Sequence, residues 1–244
     1  MKERHNTYMY EEQEIAAVLT PCESECEAGV YISDCVEEIA IGANTTLQVL
    51  RNNTLLQDIA GGTFVQFLKD TQDTLETDPL SIGAVIASKN PQSLLIPFLI
   101  SLKVDVVLRH KGRMCVRDYI SCPPLGEDIL EIRIAKEKVY AAYAAIRQEK
   151  TQIPYITAAV AVREEGWRVV IGARPGGALV AHNASIELTE KGVTVCENVA
   201  HLAAEEMAVS DDELCTAQTR REYIKQIVRA LVQKAWHGYS RVIE

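Results

Sequence analysis

Hydrophobic positions along this chain change period several times, and each change predicts an element. Polar residues dominate up to about residue 35, with a short helical pattern from Tyr10 to Leu19 broken at Pro21. Val36–Ile41 alternates as a strand. The turn after it carries Asn44 and Thr45, either of which predicts a helix cap for a run ending at Leu50. From Thr54 to Leu68, Leu55, Leu56, Ile59, Phe64, Phe67 and Leu68 can share one helical face. That run contains Ala60-Gly61-Gly62-Thr63, where close packing of a helix accounts for the glycines.

The central stretch opens with a small-residue turn, Ser81-Ile82-Gly83-Ala84-Val85, in which glycine allows close backbone approach. An apolar helix follows over Ser93–Leu102, then a β-branched strand, Val104–Leu108. A turn at Lys111-Gly112 leads into a second strand and an Asp118-Tyr119 corner. The Cys122-Pro123-Pro124-Leu125-Gly126 turn precedes a strand over Leu130–Ile134. Tyr140–Lys150 is alanine-rich and reads as a helix or a mobile connector. Composition shifts near Thr151, so we divide the chain into an N-terminal segment (1–35), a first domain (36–150) and a second (151–244). The second opens with strands over Ile156–Val162 and Trp167–Ile171 around Glu164-Glu165-Gly166, a hairpin signal. Helices over Val195–Met207 and Thr219–Trp236 complete it, the last with an apolar stripe and a basic one, Arg221, Lys225 and Arg229. The expected fold class is α+β, a mixed or antiparallel sheet flanked by helices, followed by a smaller antiparallel domain with helices.

Composition narrows the function. With 48% hydrophobic residues in its composition, the chain can bury a sizeable core. Its 25 basic and 34 acidic side chains give a net charge of −9, which disfavours nucleic acid as a partner. No apolar run has membrane-span length and no signal peptide is visible, so the expectation is a cytoplasmic protein without a membrane partner. The 7 cysteines form no paired framework, which fits a reducing compartment. Cys22, Cys26 and Cys35 are unevenly spaced and fall short of a tetrahedral metal set. The histidines show no ligand spacing, and no hydrolase elbow or Walker loop occurs. We assign no catalytic residue and no metal ligand; redox chemistry, if present, belongs to a bound cofactor.

Four strings recur in an informative order: IGANTTL (41–47), SIGAVIAS (81–88), GRMCVRDY (112–119) and GARPGGA (172–178). In that order, over roughly Val36 to Trp236, the chain resembles the FAD-binding subunit of the molybdenum hydroxylases, the xanthine dehydrogenase and carbon monoxide dehydrogenase family. The resemblance implies a vanillyl-alcohol-oxidase-type FAD subdomain and a C-terminal domain of the flavoprotein-subunit type. It implies a heteromeric oxidoreductase in which this subunit, inactive alone, passes electrons from iron–sulfur clusters through FAD to an acceptor such as NAD. Its partners would be a molybdopterin-binding large subunit and a two-iron iron–sulfur subunit. By the same resemblance FAD contacts fall on Ser81, Ile82, Gly83 and Ala84, with Leu130 near the flavin ring.

The chain departs from the family pattern in two places. The subdomain carrying the family's Ala-Gly-Gly-Thr phosphate loop has no counterpart ahead of IGANTTL. The family's Gly-Gly-Asn reads Gly83-Ala84-Val85, an upstream Arg-Asn pair reads Thr77-Asp78, and an Asp in the following helix reads Leu94. Each lost donor to a diphosphate weakens binding by about 1–3 kcal/mol. A degenerate, non-flavin assembly subunit of such a complex is therefore the alternative.

Overall fold

The computed structural model describes residues 28–72, 80–149 and 152–243. The helical pattern at Tyr10–Leu19, Cys22, Cys26, Thr77 and Asp78 lie outside them. The fold is α+β, two antiparallel sheets flanked by helices. The first sheet runs in the order β1 (Ile32–Asp34), β2 (Glu38–Gly42), β5 (Ile129–Ala135), β3 (Val104–Leu108), β4 (Gly112–Cys115). The second is β6 (Val139–Ile146), β7 (Ile156–Arg163), β8 (Gly166–Gly172), β9 (Leu179–Val180). Among the short helices α1 (Leu47–Asn52), α2 (Thr63–Asp70), α3 (Ile82–Ser88), α4 (Leu95–Ser101) and α5 (Val116–Ser121), α3 and α5 pack on the first sheet, α4 on β7 and β8 of the second, and α2 on β6. The chain ends in α6 (His182–Lys191), α7 (Cys196–Glu206) and the long α8 (Ala217–Ile243), with α8 packed along β6 and β7.

Alternation in the strands explains this layering. Ile39 and Ile41 of β2, Ile132 and Ile134 of β5, and Val104 and Val106 of β3 enter one core. The intervening Glu38, Glu131, Arg133 and Asp105 form a charged ladder of their own. The second sheet is buried on both faces. Ala141, Ala159, Ala161 and Val170 join the first core, whereas Ala142, Ala158, Val160 and Ile171 meet α7 and α8 in the second.

The chain's 3 phenylalanines join the two sheets, because Phe64 and Phe67 of α2 meet Phe98 of α4. Phe67 and Phe98 stack at 4.5 Å, and Tyr143 of β6 sets its ring edge-on to both, arrangements that the ring quadrupole favours. Tyr143 also donates from its hydroxyl to Asp70 at 2.6 Å. β6, which precedes Thr151, pairs along its whole length with β7, which follows it.

Several expected elements are corrected. Tyr140–Ile146, the greater part of the alanine-rich Tyr140–Lys150 stretch, is neither helix nor connector: Val139–Ile146 is a strand. Alanines on both of its faces hide the alternation that marks a half-buried strand. The Thr54–Leu68 helix is a 3-10 turn at Thr54–Leu56, a loop, and then α2. Ala60, Gly61 and Gly62 all have positive φ, so the glycine pair forms a left-handed turn ahead of α2 and not a helix interior. A Cβ on Gly61 would meet Val242 of α8 at 2.7 Å, so the turn is closely packed. The cap of α1 is Thr46, whose hydroxyl accepts from the Val49 N–H at 3.3 Å, rather than Asn44 or Thr45. Asn44 and Thr45 instead bind the preceding segment, through Ala28 O and through Tyr31 N and O. The α6 helix carries no sequence signal that we identified.

Candidate functional site

β2 ends at Gly42, and Ala43–Thr46 turns the chain into α1. The chain returns at Leu80, where Ser81 forms an isolated antiparallel bridge with Thr46 before α3 begins. β5 passes beneath the turn with a register irregularity: Val107 faces Glu131 but Leu108 faces Ile129, so Leu130 is the extra residue of a bulge. The freed Leu130 carbonyl accepts from Ala43 N–H at 2.9 Å. Ser81, Ile82, Gly83, Ala84 and Leu130 thus converge on one place, around Ala43–Thr46.

What joins them is a closed set of hydrogen bonds. The N–H of Ile82 donates to Thr45 O at 3.0 Å, and that of Gly83 donates to Ala43 O at 2.9 Å. Ala84 N–H donates to Ser81 Oγ at 3.2 Å, the N-cap of α3, and Leu47 N–H donates to Leu80 O at 3.0 Å. Gly83 is needed here for close approach: a Cβ would stand 2.7 Å from both the Cβ and the carbonyl oxygen of Ala43. Leu130, Ile82, Gly83 and Val85 are buried, and Ala84 presents a methyl group to the exterior.

An FAD diphosphate needs free donors, and the amides of Ile82, Gly83 and Ala84 are all taken within the fold. The space beside Gly83 is filled by Ala43, where a phosphate cradle would be open. Leu94, in the position of the family's Asp, is a buried apolar residue at the start of α4. The residues present do not fit the diphosphate in this arrangement.

The other recurring strings are also engaged structurally. From GRMCVRDY, Arg113 pairs with Asp105 at 2.5 Å and with Glu38 at 2.8 Å, fastening the edge strand β4 to the sheet. Arg133 continues the ladder to Glu38 at 2.5 Å and donates to Glu131, which accepts from Tyr31 Oη at 2.7 Å. Burial alone would raise the Glu38 carboxyl, but hydrogen bonds from Arg133 and Arg113 outweigh it and hold it below its usual value. In GARPGGA, Ala173 N–H donates to Pro91 O at 2.9 Å, and Arg174 reaches Gly177 O and Ala208 O at 2.8 and 2.9 Å. Of the basic stripe on α8, Lys225 pairs with Glu222 and Arg229 with Glu197. Among the described residues no group of His, Cys, Asp and Glu could hold a metal ion, and no helix is long and apolar enough to cross a membrane.

No protein-family model matches the chain. YgfM of Escherichia coli K12, described as an uncharacterized protein, is 25% identical over 150 residues, which are 59% of this chain and 54% of that protein. The YgfM of Escherichia coli O157:H7 matches to the same extent. The chain thus spans about half the length of the curated relatives it matches. Among solved structures, a chain of the carbon monoxide dehydrogenase from Hydrogenophaga pseudoflava superposes with a TM-score of 0.74 at 20% identity, over 86% of this chain and 78% of that one. A chain of quinoline 2-oxidoreductase from Pseudomonas putida 86 gives 0.72 at 16%, over 85% and 78%. At these identities the likeness is one of fold.

Proposed function

We propose that this chain is a subunit of a molybdenum hydroxylase-type oxidoreductase complex, standing where such complexes carry their flavin subunit. The observation that carries this reading is the likeness of fold over 86% of the chain to a carbon monoxide dehydrogenase chain. Its partners are a molybdopterin-binding subunit and a two-iron iron–sulfur subunit. Within the complex we assign it an assembly role, because the amides of Ile82, Gly83 and Ala84 are engaged inside the fold. The second reading is electron transfer through FAD to NAD or another acceptor. What favours it is the convergence of Ser81–Ala84 and Leu130 at one point; a separate chain would then supply the missing donors.

The test is the visible absorption spectrum of the purified chain, alone and co-expressed with its genomic neighbours, after gel filtration. The expected result is a colourless chain that co-elutes with molybdenum- and iron–sulfur-containing subunits. A flavin band retained on the isolated chain overturns the assembly role in favour of electron transfer. A flavin band appearing only with a second chain assigns the cofactor to their joint site. Failure to co-elute with either subunit overturns membership of the complex.

A further inference from the structure

A second polar cluster lies in the seam between the two sheets, away from the Ser81–Ala84 turn. Arg163 ends β7 and Arg168 lies on β8. Alternation places both on the face shared with Ala159, Ala161 and Val170, toward the first core. Lys103 enters the same region from the α4–β3 junction, and Glu137 from the β5–β6 connection. The Glu137 carboxyl lies within electrostatic reach of Arg163, Lys103 and Arg168.

The hydrogen bonding here is incomplete. The Arg163 side chain is 7% exposed, and Glu137 and Glu165 each approach it only to 3.8 Å. That separation is beyond hydrogen-bonding distance. Arg163 Nε and Glu137 Oε1 are both buried with no hydrogen-bond partner. Arg168 uses Nη1 to close the end of α4, donating to Ile100 O at 3.0 Å and Leu102 O at 2.9 Å. Burial lowers the Arg168 pKa from its usual value, and the positive charges of Arg163 and Arg117 push it the same way. Lys103, Arg163 and Arg168 thus face Glu137 and the exposed Glu165, a local excess of positive charge in a chain of net charge −9. A buried guanidinium N–H without an acceptor is costly, and a rigid fork beside a flexible ammonium is the pattern that takes a compact oxyanion.

We propose that this seam is a binding site for a phosphate group, with Arg163 as its floor, Arg168 and Lys103 at its sides, and Glu137 as the charge an incoming phosphate displaces. The phosphate belongs to free inorganic phosphate or to a small phosphomonoester. Binding gives the Arg163 Nη groups, 3.8 Å from their nearest carboxylates, an acceptor at hydrogen-bonding distance and balances the excess charge of the seam.

The experiment follows the thermal midpoint of the full chain in inorganic phosphate and in chloride at matched ionic strength, with adenosine 5′-monophosphate as a second probe. Phosphate is expected to raise the midpoint in a saturable way while chloride does not. Lys103→Gln, at an exposed position, should weaken the apparent phosphate affinity about fivefold, the limit for an exposed ionic contact. Glu137→Gln should strengthen it, and Arg163→Gln should abolish the response. Equal responses to phosphate and chloride overturn the proposal, as does a Lys103→Gln variant that titrates like the parent. Because neither Lys103→Gln nor Glu137→Gln removes the buried arginine, the test stands even where Arg163→Gln does not fold. A stronger response to the nucleotide assigns the site to a phosphomonoester, and an equal or weaker one to free phosphate.

Discussion

Two arginines among the described residues are almost wholly buried, and their surroundings are opposite. Arg220, 1% exposed, donates to the carbonyls of Tyr155, Ser210 and Cys215 and to the Asp212 carboxylate, the last at 2.6 Å. Its hydrogen bond to Asp212 holds that carboxyl below the usual range. Arg163 has carboxylates nearby at 3.8 Å, and its Nε meets no acceptor. The first guanidinium ties the loop before α8 to the start of β7 and spends four of its five N–H donors inside the fold. The second retains capacity. The start of α3 stands with Arg220: the amides of Ile82, Gly83 and Ala84 are present, but the fold itself has taken them.

The largest effect that sharpens this contrast comes from removing each arginine in turn. Arg220→Met should cost about 3 kcal/mol, because buried carbonyls lose their donor and Asp212 loses its counter-ion. Arg163→Met in phosphate-free buffer should change stability by less, about 1 kcal/mol, since the side chain gives up no hydrogen bond and only carboxylate contacts at 3.8 Å. Urea midpoints at constant slope measure both. Equal losses for the two variants would make Arg163 a structural tie and erase the comparison.

Next in size is Gly83→Ala, which puts a methyl group against the backbone of Ala43. Overpacking of this kind should destabilise the protein by about 2 kcal/mol. Were Gly83 an open phosphate contact, this variant would keep its stability and lose only ligand. Denaturation of the isolated chain decides between the two.

The smallest effect is in pH dependence, where Glu38 and Glu137 have opposite signs. The Glu38 carboxyl is held below its ordinary value of 4.5. Its contribution to stability is therefore present above that pH and is lost as pH falls through the lowered value. Burial raises the Glu137 carboxyl above 4.5, against the pull of Arg163 and Lys103. Its contribution is full below 4.5 and is lost as pH rises through the raised value. Glu38→Gln should flatten the acid limb of a midpoint-against-pH curve, and Glu137→Gln the limb above it. A Glu137→Gln curve parallel to the parent's would remove the electrostatic asymmetry of the seam.

Much of the fold was legible where one face of an element is wet and the other dry, as in β3, or where a glycine turn marks a hairpin, as between β7 and β8, although β7 is buried on both faces. Val104–Leu108 coincides with β3, and the hairpin around Glu164-Glu165-Gly166 is β7–β8. β6 was not legible, because Ala141 and Ala142 are both fully buried and show no contrast between faces. The turn at Ala60–Gly62 looked helical because bulky apolar residues flank it, although packing against α8 requires left-handed backbone there. At the candidate site, the resemblance named residues that do converge. It was silent on their hydrogen-bond partners, since Ala43, Thr45 and Leu130 are distant in sequence from α3. The basic seam gave no motif: Lys103, Glu137, Arg163 and Arg168 are spread over four segments.

The sequence by itself determined the class of this protein: most of its strands and helices, an acidic chain with a large core, and four strings whose order carries the resemblance. Tertiary structure alone decided which polar groups remain available. An amide or guanidinium looks the same in a sequence whether or not the fold supplies its acceptor. That acceptor comes from remote chain, Ala43 O for Gly83 and Ser210 O for Arg220, while Arg163 Nε is left without one. Hydrogen bonds are short-ranged and directional, so only the packed molecule settles which donors are taken.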